Sequence, residues 1–347
     1  MTFHTFEVGT CLKGLQFKNI NNDFKKYSSQ YFNDPNIDDR KIFIGLSTHG
    51  ILIYIYKRQV DYNSFVYYIT YRINPVRIID STDYINLFHS NDSYKIHEMV
   101  NEKLKSISSY IPQLNECSLQ RFDFCTNIVL KNSEEVKNFI RLINASYIPN
   151  EKVIQKKNYD KRSGRFVIPK EEATFTHGNY VEVSFYNKIH QLESERLPIE
   201  FYDDILRCEI RCQKPYITNL QKKFNVTDIE DFFYMLPQIG NYVYNTQLKK
   251  LNLSYDYLHL NEIYDKIENA AFKRKTKDKM KLLAKTASKH KGIENAVKSE
   301  LVFNIKDIIK KFSKIGIASM PLSSRSKISS EINLLELCLR FADAKSI

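Results

Sequence analysis

Three short segments of this sequence alternate apolar and polar residues with period two. In LQRFDFC (119–125), Phe122 and Phe124 fall on one parity, and Arg121, Asp123 and Cys125 on the other. In VEVSFYN (181–187), Val181, Val183 and Phe185 oppose Glu182, Ser184 and Tyr186, and the alternation carries on to Lys188. In LRCEIRC (206–212), Leu206, Cys208, Ile210 and Cys212 oppose Arg207, Glu209 and Arg211. Successive side chains of a strand point to opposite faces, so each segment predicts a strand with one apolar and one polar face. A single face of this kind is ordinarily a solvated exterior. Three of them, each bearing a carboxylate, predict one shared sheet. Its apolar side lies against helices. Its other side presents Asp123, Glu182, Glu209, Arg121, Arg207, Arg211, Tyr186 and Lys188.

The rest of the chain supplies an α+β frame for that sheet. KIFIGLS (41–47), ILIYIYKR (51–58) and SFVYYITYRI (64–73) predict strands, with a hairpin turn at Thr48-His49-Gly50. KIHEMVNEKLKSISSY (95–110) has helical spacing, and Asn132-Ser133 followed by Glu134 and Glu135 predicts the start of a second helix. Residues 1–40 are polar and turn-rich with weak periodicity, and 148–172 reads as a basic loop. Beyond Pro215 there is no further long strand pattern, and TNLQKKF, IEDFFYMLPQIGNYVY, NEIYDKIENAAF and KMKLLAKTASKH all read as helices. The expectation is a mainly antiparallel sheet covered by helices on one face over residues 1–218, followed by a helical domain over 219–347.

Charge narrows the partners. The 347-residue chain carries a net charge of +12, and between Lys273 and Lys314 fourteen Lys/Arg stand against four Asp/Glu. Such asymmetry points to a polyanion, most simply nucleic acid, with a solubility patch as the plainer alternative. No run of 18 apolar residues predicts a membrane helix, and the first residues carry no secretion signal, so a cytoplasmic protein without a membrane partner is expected. Cys11, Cys117, Cys125, Cys208, Cys212 and Cys338 are scattered and read as reduced thiols, with Cys208 and Cys212 on one buried strand face.

Carboxylates gathered on one surface repel unless cations stand between them. Arginines supply one solution: Asp123 and Glu209 suit ion pairs with Arg121 and Arg207. A hard divalent cation, Mg2+ or Mn2+, supplies another, held by Asp123 and Glu209 with Glu182 as a further ligand. A tyrosine beside such a site is a candidate nucleophile toward phosphate, and a lysine nearby favours its phenolate. His177 and His190 flank the strand; either could hold a phosphate or leaving group, with a surface histidine as the plainer reading.

The order of these motifs resembles a known family. RFDFCTN is similar to an R-x-D strand, FYNKIHQLE to a Y-[ND]-K motif followed by Glu193, LRCEIRCQK to an R-x-E-x-[RQ] strand, and INPVR to an L-N-P-x-R signature with Ile73 in place of leucine. Together they resemble the rolling-circle replication initiators of plasmids, the related conjugative-element relaxases and the gene II-type replication proteins of filamentous phages. The resemblance implies a site-specific DNA nickase. Tyr186 would be its nucleophile, assisted by Lys188, with Asp123 and Glu209 holding the metal and the arginines contacting DNA. It implies origin DNA, duplex and single-stranded, as partner, with host helicase and polymerase beyond it. The chain departs from the common pattern in lacking two histidines at His-x-His spacing.

The basic stretch predicts three helices. MKLLAKTASKH is broken at Gly292, IENAVKS follows, and NIKDIIKKFSKIGI ends at Gly316, with ASMPL as a potential edge strand or wing. Helix, short turn, helix is the pattern of helix-turn-helix DNA binding, and an ordinary three-helix module fits it too. Lys306, Lys310, Lys311 and Lys314 would contact phosphates. A non-catalytic DNA-binding regulator, a decayed replication protein or an RNA-binding sheet are the alternatives.

Overall fold

A computed structural model describes residues 1–35, 39–62, 64–146, 158–160, 165–167, 173–197, 204–299, 303–323 and 333–343. In chain order the strands and helices begin with β1 (Thr2–Leu12), α1 (Gly14–Lys25), β2 (Tyr31–Asn33), β3 (Arg40–Phe43), β4 (Ile51–Asp61), β5 (Ser64–Ile73), α2 (Pro75–Ile79), β6 (Phe88–His89), α3 (Ser93–Ile107) and β7 (Ser118–Leu130). Next come α4 (Ser133–Ser146), β8 (Asn158–Asp160), β9 (Arg165–Val167), β10 (Ala173–His177), β11 (Val181–Asn187), α5 (Lys188–Glu195) and β12 (Asp204–Gln213). The remainder is helical: α6 (Lys214–Phe224), α7 (Ile229–Tyr234), α8 (Leu236–Lys250), α9 (Leu260–Asn269), α10 (Arg274–Lys289), α11 (Ile293–Ser299), α12 (Ile305–Lys314) and α13 (Leu334–Asp343).

The fold is α+β. Ten strands form one sheet, nine of them in the order β10-β11-β12-β7-β1-β5-β4-β3-β2 and the tenth, β6, pairing to β1; β8 and β9 form a separate two-stranded sheet. The three amphipathic segments lie in this one sheet, as expected, and are consecutive neighbours within it. The chain divides into two compact units. One holds residues 1–125 and 211–240; the other holds 126–210 and the described residues from 241 onward.

In the first unit β1 is central, antiparallel to β5 on one side and to β7 on the other. Its sequence, TFHTFEVGTCL, lacks clean alternation because the register shifts between Phe3 and Thr5 and again between Glu7 and Val8. Such bulges turn a strand's period-two signature into the irregular pattern that reads as polar loop. The apolar face holds Phe6, Phe122, Phe124, Ile73 and Tyr71, all buried. Phe232 and Phe233 of α7 close it: Phe122 lies 5.2 Å from Phe232 and Phe6 lies 5.3 Å from Phe233, centroid to centroid. Helix α1 covers the same face farther along, Phe17 stacking on Tyr67 at 4.3 Å and Phe24 on Phe43 at 4.4 Å. Aromatic pairs of this kind add about 0.5–1.5 kcal/mol each beyond the area they bury.

In the second unit α4 packs on β10 and β11. It starts where Asn132 Oδ1 accepts from the backbone N–H of Glu135, which satisfies a first-turn donor as the sequence predicts. It buries Val136, Phe139, Ile140 and Ile143. Helices α10, α11 and α12 occur where the basic stretch predicts three helices, and α10 packs on both of the others. Gly316 ends this run with φ +74°, a conformation glycine adopts without Cβ strain. Past it, Ile317 and Leu322 make isolated parallel bridges to Asp256 and His259.

Candidate functional site

The polar faces of the three strands are largely inside the protein, contrary to a solvated reading. Asp123, Glu209, Lys188 and Arg207 are all buried, Arg207 completely. Burying charge is costly without partners, and two sets of partners account for these.

The first set lies in the first unit. Both carboxylate oxygens of Asp123 accept from Arg121, whose Nε donates to Oδ1 at 2.8 Å. Arg211 Nε stands 3.5 Å from the same Oδ1. Arg121 also donates to Glu7 Oε1 at 3.1 Å, and Arg72 donates to that oxygen at 2.6 Å. Arg72 and Arg40 lie over the ring of Tyr54, at 5.5 and 4.7 Å, and Arg40 pairs with Asp34. The result is a ladder of alternating charge across β12, β7, β1, β5, β4 and β3. Removing one partner of a buried pair such as Arg121–Asp123 typically costs about 3–5 kcal/mol, because the survivor stays buried. Sequence reasoning missed Glu7 because β1 was hidden by its bulges. The signal was there locally: Phe6-Glu7-Val8 repeats the apolar–acid–apolar triplet of Phe122-Asp123-Phe124 and Cys208-Glu209-Ile210.

The second set lies in the second unit. The Tyr186 hydroxyl donates to Glu209 Oε2 at 3.1 Å, joining β11 to β12. Arg207 Nε donates to Asn127 Oδ1 at 2.7 Å, a partner that the sequence reading did not pick out. Strand β11 stops at Asn187, whose side chain caps α5 by accepting from His190 N–H. Lys188 is therefore the first residue of a helix, and its Nζ donates to Gln191 Oε1 at 3.1 Å. Glu182 is half-buried, opposite His177 in the β10–β11 register. Exposed Glu193 stands 3.8 Å from His190.

Burial also silences the nearby thiol. Cys212, fully buried on β12, has its ionisation pushed well up, first by desolvation and then by the Asp123 charge. Such a shift lowers the fraction of thiolate, the form in which a cysteine reacts.

Asp123 fits a divalent cation poorly as it stands. A metal on Asp123 would have to displace the Arg121 guanidinium from both oxygens. Among the described residues, no group of three or more His, Cys, Asp or Glu side chains gathers as a metal site. On the exposed side of α12, Lys306, Lys310 and Lys314 follow each other at four-residue spacing, opposite buried Ile305, Ile308, Ile309 and Phe312. Lys311 is half-buried, its Nζ 5.9 Å from the ring centre of Phe272. No helix among the described residues is long and apolar enough to cross a membrane. No protein-family model matches the sequence, and no curated protein matches it.

Proposed function

We propose that this chain nicks and transfers DNA strands to initiate rolling-circle replication or conjugative transfer, with Tyr186 as nucleophile. The observation that supports this is the hydrogen bond from the Tyr186 hydroxyl to the buried Glu209 carboxylate. A phenol is a weak nucleophile until its proton has a destination, and a carboxylate in hydrogen-bond reach is such a destination. In the proposed step Tyr186 Oη attacks the scissile phosphorus as its proton passes to Glu209. The bond from phosphorus to the 3′ oxygen breaks, and that oxygen takes a proton from water. The products are a 5′-phosphotyrosine ester and a free 3′ hydroxyl from which a polymerase extends. The ester preserves the energy of the broken bond, so rejoining needs no ATP. Arg211, two residues beyond Glu209 on the same parity of β12 and less buried than Arg207, is the proposed cation for charge building on the phosphate.

Helices α10 to α12 are the proposed duplex-docking module. Their lysines would supply affinity that weakens with salt, leaving sequence discrimination to other contacts. The commitment of Asp123 to Arg121 favours a second reading, a non-catalytic DNA-binding regulator.

Supercoiled plasmid carrying the protein's own locus, incubated with Mn2+, Mg2+ or EDTA, separates the two readings. The nicking reading expects open circles with protein covalently attached to the 5′ end. Tyr186→Phe keeps the ring and should abolish the adduct while leaving DNA binding intact. Glu209→Gln keeps the hydrogen-bond acceptor but cannot take the proton, and should slow nicking by roughly 10²–10⁴-fold. An adduct formed by Tyr186→Phe assigns the nucleophile to another residue. Binding without any adduct in the unmodified protein leaves the regulator.

A further inference from the structure

Strands β4 and β5 outrun their neighbours. The β3 pairing reaches only as far as Tyr56, opposite Arg40, and the β1 pairing only as far as Tyr67, opposite Leu12. From Lys57 and Val66 outward, the two strands pair only with each other among the described residues. A two-stranded ribbon is marginally stable in water. This one also exposes large apolar side chains: Val60 is 59% exposed, Tyr62 91% and Phe65 43%. Exposed apolar groups clustered on a projecting element mark an interaction surface.

The base of the ribbon is built from aromatic and cationic residues. Tyr56 and Tyr68 are cross-strand partners whose rings stack at 5.0 Å and 17°, and both are only half-buried. Arg58 follows Tyr56 on the same parity of β4. It is exposed and makes no hydrogen bond or ion pair among the described residues. The same face continues through Arg72, Arg40, Arg121 and Arg211, which pair with three carboxylates, Asp34, Glu7 and Asp123. With Arg58, the face combines guanidinium groups with accessible π surface.

That combination of exposed guanidinium and accessible aromatic rings fits a single nucleic-acid strand. A strand offers a phosphate for Arg58 and unstacked bases for the tyrosines, whereas the bases of a duplex are already stacked. We infer that the face of β4 and β5 bearing Tyr56, Tyr68 and Arg58 is a stacking platform for single-stranded DNA, continued by the projecting ribbon. It lies apart in sequence from Tyr186 and does not require that residue to cleave.

The test uses full-length Tyr186→Phe protein, so that no covalent product forms, and fluorescein-labelled dT15 without divalent metal. Fluorescence anisotropy should show binding that weakens about 5- to 150-fold in the Tyr56→Leu/Tyr68→Leu pair, the range expected for losing one stacked base. Tyr56→Phe/Tyr68→Phe, which keeps the π faces, should bind within twofold of the parent. Arg58→Ala, on exposed ribbon that no folding core depends on, should reduce the slope of log affinity against log salt by about 0.7. Photocrosslinking of dT15 containing 5-iododeoxyuridine should label the 51–73 peptide whatever the leucine pair does to folding. Crosslinks confined to other peptides, or a leucine pair that binds within twofold of the parent, would overturn the platform. A fifteen-base-pair duplex bound as tightly as dT15 would overturn its preference for single strands. Tenfold tighter binding of rU15 would reassign it to RNA.

Discussion

At the scale of single residues, environment separates side chains of the same type. Fully buried Tyr71 gives its hydroxyl to the carbonyl of Pro112 and has its ionisation pushed up by desolvation. Tyr186 instead gives its hydroxyl to a carboxylate. The cysteines divide in the same way. Cys117 is half-buried, and its thiol is pushed up to about 12, first by desolvation and then by the Glu116 charge. Cys11 is exposed. A raised thiol pKa lowers the thiolate fraction at every pH below it, and only the thiolate reacts. Iodoacetamide at pH 8 should therefore alkylate Cys11 much faster than Cys117 and leave Cys125, Cys208, Cys212 and Cys338 unmodified until unfolding. Peptide mass spectrometry over a time course checks this, and raising the pH toward 10 should speed Cys117 about tenfold per unit. Rapid labelling of Cys212 in native protein would contradict its burial on β12.

At the scale of elements, residues that follow one periodicity were legible and those at interruptions were not. Strands β5, β7, β11 and β12 declare themselves through unbroken alternation, and α3 and α4 through helical spacing. Strand β1 does not, because two register shifts put buried side chains where alternation puts polar ones. Lys188 was misplaced for a related reason: the Asn187 cap converts strand to helix at the next residue, and parity has no meaning beyond that point. Asp123, Tyr186 and Glu209 could be placed in one sheet from sequence, but their partners depend on strand order, rotamers and register. Parity puts Arg121 and Asp123 on one face and allows the pair that forms, but it does not choose that pair over a metal ion between the carboxylates. Helix α12 is legible throughout, with one apolar stripe and one row of lysines. Replacing Lys306, Lys310 and Lys314 with alanine should leave stability within about 0.5 kcal/mol, since all three are exposed. If α12 docks on duplex, the same change should flatten the salt dependence of duplex binding by close to one unit for each phosphate that the lysines no longer neutralise. Titration at several salt concentrations reads this out, and an unchanged slope would take α12 off the DNA.

At the scale of the whole molecule, the first unit depends on contacts between residues far apart in the chain. Phe122 touches Phe3, Phe6 and Phe124 near it in the sheet, and Phe232 and Phe233 from α7. Phe122→Ala should cost about 3–5 kcal/mol, the usual range for emptying a fully buried aromatic site. Tyr62→Ala, at the exposed end of the β4–β5 ribbon, should change stability by less than about 0.5 kcal/mol. Urea denaturation of the two variants side by side gives the comparison. Similar midpoints would mean that the aromatic cluster is not the centre of this unit.

The same long-range closure has a consequence while the protein is being made. Phe3, Phe6, Phe122 and Phe124 leave the ribosome well before α7 exists. At roughly 5–20 residues per second, the wait for Phe232 is on the order of ten seconds. Throughout that interval the nascent sheet carries an uncovered aromatic face of the kind that chaperones hold and that other nascent chains adhere to. Synonymous codon changes that slow translation between Phe124 and Ile229 should lengthen the exposure without altering any residue of the finished protein.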